Sequence, residues 1–356
     1  MKEFEFITGF DVSDEDISPR GLAFNNDGTK MFLVGLTGKK VIEYTLSRGF
    51  DVTTARFVDF FSLRDEITEP MGLAFNNDGT KMFVVDFNAA AGQDVNEYTL
   101  PRGFDVSTAS FVGKFNVKAE ESQPVGLAFN NDGTKMFVVG YKNDKVSEYA
   151  LSRGFDLSTA SFVHAEDVIV RAGENEPRGI AFNNDGTMMF VILSTLDEVN
   201  IFTLSTGFDV STASFVRAFN IRTQDGAPTH LAFNNDGTRM FVVGRNKKKI
   251  FVYATGLYWG SPTDSLTWFE KGTAVSVAAY ASQATSSKST GAGTSVALST
   301  GIMTYTMAHV IEYINPTEIT TGVNPIKLKK KGKAKLGLLA YIGSRVKDMD
   351  FWRLGL

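Results

Sequence analysis

One nine-residue string, Gly-Leu-Ala-Phe-Asn-Asn-Asp-Gly-Thr, returns through the first two thirds of the chain and limits the folds that it can adopt. Copies begin at Gly21, Gly72 and Gly126, a fourth begins at Gly179 with isoleucine in second place, and a fifth begins at His230. The turn glycines, spaced by 51, 54, 53 and 51 residues, are Gly28, Gly79, Gly133, Gly186 and Gly237. This period is slightly long for a four-stranded propeller blade and matches none of the helical repeats.

Each repeat divides into four β-like runs that are rich in aromatic and β-branched residues. In the third repeat they cover 126–129, 135–139, 146–151 and 161–168. Between the first two runs, Asn-Asn-Asp-Gly-Thr predicts a tight hairpin, because glycine adopts a positive φ at low cost. Between the last two, Asp156 is placed to cap a single helical turn. Hairpin connections of this kind predict antiparallel sheets.

The two ends of the repeat region complement each other. Phe6 stands 15 residues before Gly21, the spacing that also separates Phe57 from Gly72. The fifth repeat stops near 253–256 without a fourth run. We therefore expect Phe6–Val12 to supply the missing outer strand and to hide the sheet edges. An open solenoid, the alternative, would need a capping repeat at each end. The prediction is an all-β fold, a five-bladed β-propeller over 1–256 closed by an N-terminal strand, with a small β-rich C-terminal domain.

Two motifs resemble known protein families. The string Ala-Phe-Asn-Asn-Asp-Gly-Thr-Lys-Met-Phe-Val-Val, at 74–85 and 128–139, resembles the hairpins of the YVTN and lactonase-like propellers. The resemblance covers about two thirds of the chain and implies blade geometry more than function, since such propellers include enzymes, surface-layer proteins and scaffolds. The string Gly-Phe-Asp-Val-Ser-Thr-Ala-Ser-Phe, at 103–111, is similar to repeats of phage and bacterial surface proteins.

The composition excludes several kinds of chemistry. The chain has no cysteine and three scattered histidines, so disulfides, thiolate nucleophiles and cysteine zinc sites are excluded. A net charge of −4 gives no basic footprint for nucleic acid. The N-terminus lacks the pattern of a secretion signal, and no run of 18 apolar residues predicts membrane insertion. The 30 phenylalanines recur at four or five positions per repeat, such as Phe129, Phe137, Phe155 and Phe162, and are expected to pack the blades.

One face of the predicted propeller is variable and acidic. The loops between blades hold 14 acidic and 6 basic residues, and one of their acidic clusters is Asp65-Glu66. This pattern fits a solvated acidic surface or a recognition face for a basic partner or a cation. For calcium, only Asp14 and Asp16 approach the required spacing.

Each loop between blades ends in a proline, and the residue after it is placed at the mouth of the central channel. These residues differ from blade to blade, so five equivalent binding sites are not expected. Arg20, Arg178 and His230 form an asymmetric polar group that is a candidate for contact with a ligand or partner.

Catalysis is not expected from the sequence. The innermost strands carry no carboxylate, although glycoside cleavage needs two. The resemblance to lactonase-like propellers implies metal-assisted hydrolysis. In the predicted propeller, however, no group of His, Asp and Glu side chains converges on the channel. We therefore expect no enzyme activity, no cofactor and no metal.

The last hundred residues have a different composition. Residues 1–256 carry 25 basic and 34 acidic side chains, whereas 257–356 carry 11 and 6. Six lysines fall within 327–335, among them Lys329, Lys330 and Lys331. They fit either a solvated strand edge or a surface that docks onto an acidic subunit. Residues 302–314 alternate as a strand does, and 257–356 is predicted to be a docking or oligomerisation domain.

The resulting functional hypothesis is a non-enzymatic structural or adhesion protein of a virion, such as a phage tail fibre, a receptor-binding subunit or a capsid-decorating subunit. It would join other structural subunits through the C-terminal domain in an oligomer or large assembly. Its propeller face would meet a cell-surface glycan or protein. A multivalent lectin-like protein, extracellular or on a cell surface, is the alternative, and a lactonase-like hydrolase is the third possibility.

Overall fold

The computed structural model describes residues 4–88, 93–168 and 176–259, together with three strands in the C-terminal region. The chain divides into two compact units, of which the first ends at Trp259 and the second begins at Gly260. Leu257 and Trp259 pack in the core of the last blade. The first unit thus extends three residues beyond the predicted boundary at residue 256.

Twenty strands form five four-stranded antiparallel sheets in the first unit. Blade 1 comprises β2 (Pro19–Phe24), β3 (Lys30–Gly35), β4 (Lys40–Leu46) and β5 (Ala55–Ser62). Blade 2 comprises β6 (Pro70–Phe75), β7 (Lys81–Asp86), β8 (Asp94–Thr99) and β9 (Ser110–Asn116). Blade 3 comprises β10 (Pro124–Phe129), β11 (Lys135–Gly140), β12 (Lys145–Leu151) and β13 (Ala160–Asp167). Blade 4 comprises β14 (Pro177–Phe182), β15 (Met188–Leu193), β16 (Glu198–Leu204) and β17 (Ala213–Asn220). Blade 5 comprises β18 (Pro228–Phe233), β19 (Arg239–Gly244), β20 (Lys249–Ala254) and β1 (Glu5–Asp11).

The N-terminal strand closes the ring. β1 runs antiparallel to β20, with Phe6 opposite Tyr253 and Phe10 opposite Ile250. The innermost strand of each blade contacts the next one, and β18 contacts β2. The five-bladed propeller with an N-terminal closing strand is thereby confirmed. The helical turns are confirmed as well: the Asp156 carboxylate accepts a hydrogen bond from the Ser158 amide at 3.0 Å and caps Leu157–Thr159.

Glycines let the innermost strands approach one another closely. A Cβ atom at Gly21 would lie 2.5 Å from the Met71 carbonyl oxygen, and one at Gly126 would lie 2.5 Å from the Arg178 carbonyl oxygen. Gly72 faces the Val125 carbonyl oxygen in the same way, at 2.8 Å. Real Cβ atoms do not approach backbone so closely, so only glycine fits these positions without moving a strand.

Asparagines link the blades on the face of the propeller that carries the Asn-Asn-Asp-Gly turns. The second asparagine of each Asn-Asn-Asp-Gly turn donates its side-chain N–H to the backbone carbonyl of its counterpart in the next blade, at 2.5 to 2.8 Å. These residues are Asn26, Asn77, Asn131, Asn184 and Asn235. Because Asn235 donates back to Asn26, the hydrogen bonds form a complete circle.

The hydrophobic core lies between the blades. Five clusters of buried side chains each draw on two neighbouring blades, including blades 5 and 1. Three interfaces add a lysine that pairs with a buried glutamate at 2.7 Å and donates to a carbonyl of the next blade. These lysines are Lys30, Lys81 and Lys135. The blades are therefore joined by both apolar and charged contacts.

Phenylalanine is buried at some of its repeated positions and exposed at others. Phe137 is completely buried and Phe155 is 9% exposed. The first phenylalanine of each outer strand, however, is 42 to 47% exposed, and Phe162 belongs to this group. On the outer strands the packing is one-sided: Phe162 contacts the Tyr149 ring, with 5.9 Å between the ring centres, while no further layer covers its outward side in the described part of the chain. In blade 5, Trp259 covers Gly237 as Phe50 covers Gly28 in blade 1.

In the second unit the structure describes one small antiparallel sheet, formed by β21 (Ser265–Glu270), β22 (Thr273–Ala278) and β23 (Leu298–Thr300). The strand predicted at 302–314 and the lysines of 327–335 lie outside the described residues. Among the residues with a described structure, no helix combines the length and the apolar character needed to cross a bilayer.

The close approach of the innermost strands gives a first prediction. Gly126→Ala should lower the free energy of unfolding by about 1–3 kcal/mol, because the new methyl group overlaps a backbone carbonyl that cannot move freely. Gly113→Ala on β9 is the matched control, since a Cβ there meets nothing within 4 Å. Urea denaturation of both full-length variants measures the difference, and equal stabilities would contradict the packing argument.

Candidate active site at the channel mouth

A funnel of about 620 Å³ opens at the variable face of the propeller. Loops between blades and the hairpins between second and third strands form its wall. Its floor is narrow, because the five residues Arg20, Met71, Val125, Arg178 and Thr229 leave only about 10 Å³ between them, roughly the room that one water needs. The channel is therefore not an open pore at this level, and a ligand would bind in the funnel above it.

Two sets of equivalent residues surround the funnel. The first, which we call the floor ring, follows the prolines, eight residues before each turn glycine: Arg20, Met71, Val125, Arg178 and Thr229. The second, the hairpin ring, stands eight residues after each turn glycine: Leu36, Phe87, Tyr141, Ser194 and Arg245. Each amide of the hairpin ring donates to a carbonyl just before the proline of its own blade, at 2.9 to 3.1 Å. This bond places the hairpin residue above the floor ring.

Arg20 lies at the floor of the funnel with few partners. The residue is only 7% exposed, yet its Nε and Nη1 atoms have no hydrogen-bond partner within the described ranges. Burial and then the nearby charges of Arg245 and Arg178 lower the pKa of Arg20 to about 10. The guanidinium therefore stays charged at neutral pH and is only partly compensated.

Arg178 is held in place more firmly. Its Nη2 atom donates to the Glu176 carboxylate at 3.2 Å, and its guanidinium carbon lies 4.9 Å from the centre of the Tyr141 ring. Burial lowers the pKa of Arg178, while Glu176 opposes the shift. Its Nε atom is buried and has no hydrogen-bond partner in the part of the chain that the structure describes. The Arg178 Nε–H is therefore a donor that does not bond to Glu176.

Further charged groups line the same funnel. Arg245 and Lys39 add positive charge, and Glu69 adds a carboxylate close enough to Arg20 to raise the pKa of its guanidinium. Gln123 contributes an amide whose Oε1 atom is buried without a partner. Three guanidinium groups thus converge where few carboxylates balance them, which favours an anion.

Two of the residues predicted from the sequence meet in this funnel and the others do not. Arg20 and Arg178 line it together. His230 lies among the innermost strands, 4% exposed, where its Nδ1 atom accepts a hydrogen bond from the Leu22 amide at 3.4 Å. Asp65 and Glu66 do not line the funnel; burial and the charge of Asp65 raise the pKa of Glu66. Lys329, Lys330 and Lys331 lie outside the described residues, so their docking role stays a prediction.

Sequence reasoning missed most of the funnel wall. It did not single out Glu69, Phe87, Tyr141 or Arg245. The signal that could have found the last three was a constant spacing, since each stands eight residues after a turn glycine. At that position the repeats diverge completely, whereas the flanking strands keep their pattern.

Several acidic side chains on this face serve the backbone. The Asp16 carboxylate accepts hydrogen bonds from the Ser18 and Gly38 amides, both at 2.7 Å. Asp225 makes the same contacts in blade 5, with Ala227 and Lys247. Asp16 is therefore engaged as a loop staple, and the Asp14 and Asp16 pair does not form a calcium site. Within 4–88, 93–168 and 176–259, no three His, Asp or Glu side chains are placed to hold a metal ion. These residues do not fit the metal that lactonase-like propellers imply.

Comparisons with known proteins give one strong match. Residues 37–261 match the model of the family described as lactonase, 7-bladed beta-propeller. No curated protein matches the sequence. Among solved structures, the periplasmic gluconolactonase of Pseudomonas aeruginosa is similar at 16% identity and a TM-score of 0.42, over 66% of each chain. Regucalcin, a calcium-binding protein from Agrobacterium tumefaciens, is similar at 12% identity and a TM-score of 0.45, over 73% of this chain and 97% of that one. These two likenesses concern the fold, and no functional argument rests on them.

The family match overturns the functional hypothesis drawn from the sequence. The expectation of a non-enzymatic virion protein is wrong, and so is the expectation of no enzyme, because the matched family is one of lactone-hydrolysing propellers. The innermost strands hold no carboxylate, but the loops that precede them do. In the structure, Glu69 reaches the funnel from the loop just before Pro70.

The buried histidine gives a second prediction. Burial lowers the pKa of His230 from 6.5 to about 4, so the unfolded chain binds more protons between these values. Stability should fall by about 3 kcal/mol as the pH drops from 6.5 to 4. His230→Asn keeps an acceptor for the Leu22 amide and removes this titration. The difference in unfolding free energy between wild type and variant should change across that pH range, and a constant difference would contradict the assignment.

Proposed function

Because the chain belongs to the lactonase family of β-propellers, we propose that it hydrolyses a lactone that carries an anionic group, and that the reaction takes place in the arginine-lined funnel. One observation carries this proposal. The Arg20 guanidinium is almost completely buried at the funnel floor, with two nitrogen atoms that no group among the described residues satisfies.

A buried guanidinium that lacks hydrogen-bond partners destabilises the protein unless a ligand supplies those partners. Leaving a buried charged donor without a partner costs more than the roughly 1–3 kcal/mol of a neutral one. Arg178 and Arg245 add to the cost, because their charges lower the pKa of Arg20. A carboxylate or phosphate would relieve both effects, and arginine binds either with paired hydrogen bonds. The floor therefore fits the anionic group of a substrate.

Glu69 is the group that we assign to water activation. It lines the funnel beside Arg20, and no second carboxylate is required to open a lactone. The water oxygen would attack the lactone carbonyl carbon while Glu69 takes its proton. The ring C–O bond then breaks, and the proton passes to the departing alkoxide. The positive groups of the funnel would stabilise the negative charge that develops on the carbonyl oxygen.

This scheme uses only side chains of the chain itself. The family description names seven blades, whereas this ring closes with five. Residue roles are therefore assigned from the geometry of this funnel and not transferred from the family. The proposal makes no use of a metal, because the described residues provide no suitable set of ligands.

Removing the floor charge gives a third prediction. Arg20→Met should lower kcat/KM for an anionic lactone by about 10²–10³, since a buried donor to the substrate or its oxyanion is lost. Hydrolysis of lactones with and without a carboxylate or phosphate is followed by NMR. Arg48→Met is the matched control, because Arg48 is exposed in an ion pair with Asp51, away from the funnel. Equal losses in both variants would contradict the role of Arg20.

Removing the base gives a fourth prediction. Glu69→Gln should lower kcat by about 10²–10⁴ with little change in KM, because it removes proton transfer and keeps the shape of the side chain. Glu66→Gln makes the same change three residues earlier in the loop, outside the funnel, and should leave kcat unchanged. If Glu69→Gln retains full activity, or if the wild type opens no lactone in the panel, the proposal is wrong.

A further inference from the structure

The funnel has two chemically different sides. Blades 4, 5 and 1 supply the cationic side chains, namely Arg178, Arg245, Arg20 and Lys39. Blades 2 and 3 supply both aromatic ones, Phe87 and Tyr141, together with Met71, while the apolar Leu36 comes from blade 1. Since blade 5 is adjacent to blade 1, each set occupies a continuous arc of the wall. We call these the cationic arc and the aromatic arc.

The aromatic arc is built from the two phenyl rings of neighbouring hairpins. Phe87 and Tyr141 stand edge to face, with their centres 6.2 Å apart and their planes at 82°. Both side chains are partly exposed in the funnel. The Arg178 guanidinium covers the Tyr141 ring and joins this arc to the cationic one. The aromatic arc thus offers ring surface directly beside the anion-binding floor.

The aromatic arc offers few hydrogen-bonding groups of its own. Among the lining residues, the uncharged polar groups are those of Thr68, Gln123 and Tyr141. The hydroxyls of a polyhydroxylated ligand that face Met71 and Phe87 would lose water without gaining fixed partners, which lowers affinity. A planar ring would lose little affinity on leaving water, because stacking on rings and contact with a guanidinium need no hydrogen bonds.

From these arcs we infer that the substrate lactone has a planar, apolar body with one anionic group, so that aryl carboxylates and aryl phosphates are its binding analogues. The anion lies on Arg20 and its neighbours in the cationic arc, and the ring packs against Phe87 and Tyr141. The funnel volume of about 620 Å³ suits a ligand of this kind. This inference rests on the proposed function for the location of the site, and it names the class of substrate.

The test measures binding and does not depend on turnover. Isothermal titration of the full-length protein with phenyl phosphate, glucose 6-phosphate and inorganic phosphate compares a planar, a polyhydroxylated and a bare anion. Phenyl phosphate should bind at least tenfold more tightly than the other two. Benzoate and gluconate provide the same comparison with a carboxylate as the anion.

Variants then locate the preference. Phe87→Leu should reduce the advantage of phenyl phosphate over inorganic phosphate several-fold, because it keeps the apolar bulk and removes the ring. Phe111→Leu makes the same change on the exposed outer strand β9 and should have no effect. Arg20→Met should weaken binding of all three phosphates alike. Thermal unfolding of each variant verifies that it is folded.

The outcomes separate this inference from the proposed function. A preference for phenyl phosphate without hydrolysis of any lactone would support the inference and refute the function. Hydrolysis with glucose 6-phosphate bound as tightly as phenyl phosphate, or an unchanged preference in Phe87→Leu, would refute the inference alone. If none of the anions binds, both are refuted.

Discussion

The closeness of the innermost strands governs the rest of the propeller. At Gly21, Gly72 and Gly126 the next blade's backbone occupies the space of a side chain, so nothing larger than glycine fits. This contact closes the channel and turns it into a funnel with a floor. The side chains that differ between the blades are found instead at the residue just before each glycine and in the hairpin above it. The repeats can therefore be nearly identical in their strands and still enclose an asymmetric site.

His230 lies at the junction between blade 5 and blade 1, where the ring of blades closes. It occupies the glycine position in blade 5, and its ring bonds to Leu22 in blade 1 across the joint. Thr229 adds a hydrogen bond from its hydroxyl to the Arg20 carbonyl at 3.0 Å. The junction between the first and last blades thus has polar contacts of its own, and one of them holds the backbone of Arg20. The joint and the candidate active site share this segment.

The fold was largely predictable from the sequence, and the candidate site only in part. The spacing of Phe6 from Gly21 placed the closing strand, because a constant period fixes register. The prolines placed Arg20 and Arg178 at the channel mouth. Arg245, Phe87 and Tyr141 were not predicted, because they lie in hairpins whose sequences resemble ordinary turns. In the structure, their backbone amides donate to the carbonyls just before the prolines, and these bonds place them above the floor ring. The roles of the acidic residues could not be read from the sequence either, since nothing there shows that the Asp16 and Asp225 carboxylates accept hydrogen bonds from backbone amides.

The pairing of β1 with β20 sets the order of events when the protein is synthesised. β1 leaves the ribosome first, but its partner follows about 240 residues later, a delay of roughly 12–50 s at typical elongation rates. Blades 1 to 4 can complete their own hairpins during this time, because each is local in sequence and hairpins form within microseconds. Closure of the circle is therefore a late, long-range step, and until it happens both β1 and the outer edge of β20 lack the hydrogen-bonded partner that they have in the finished ring.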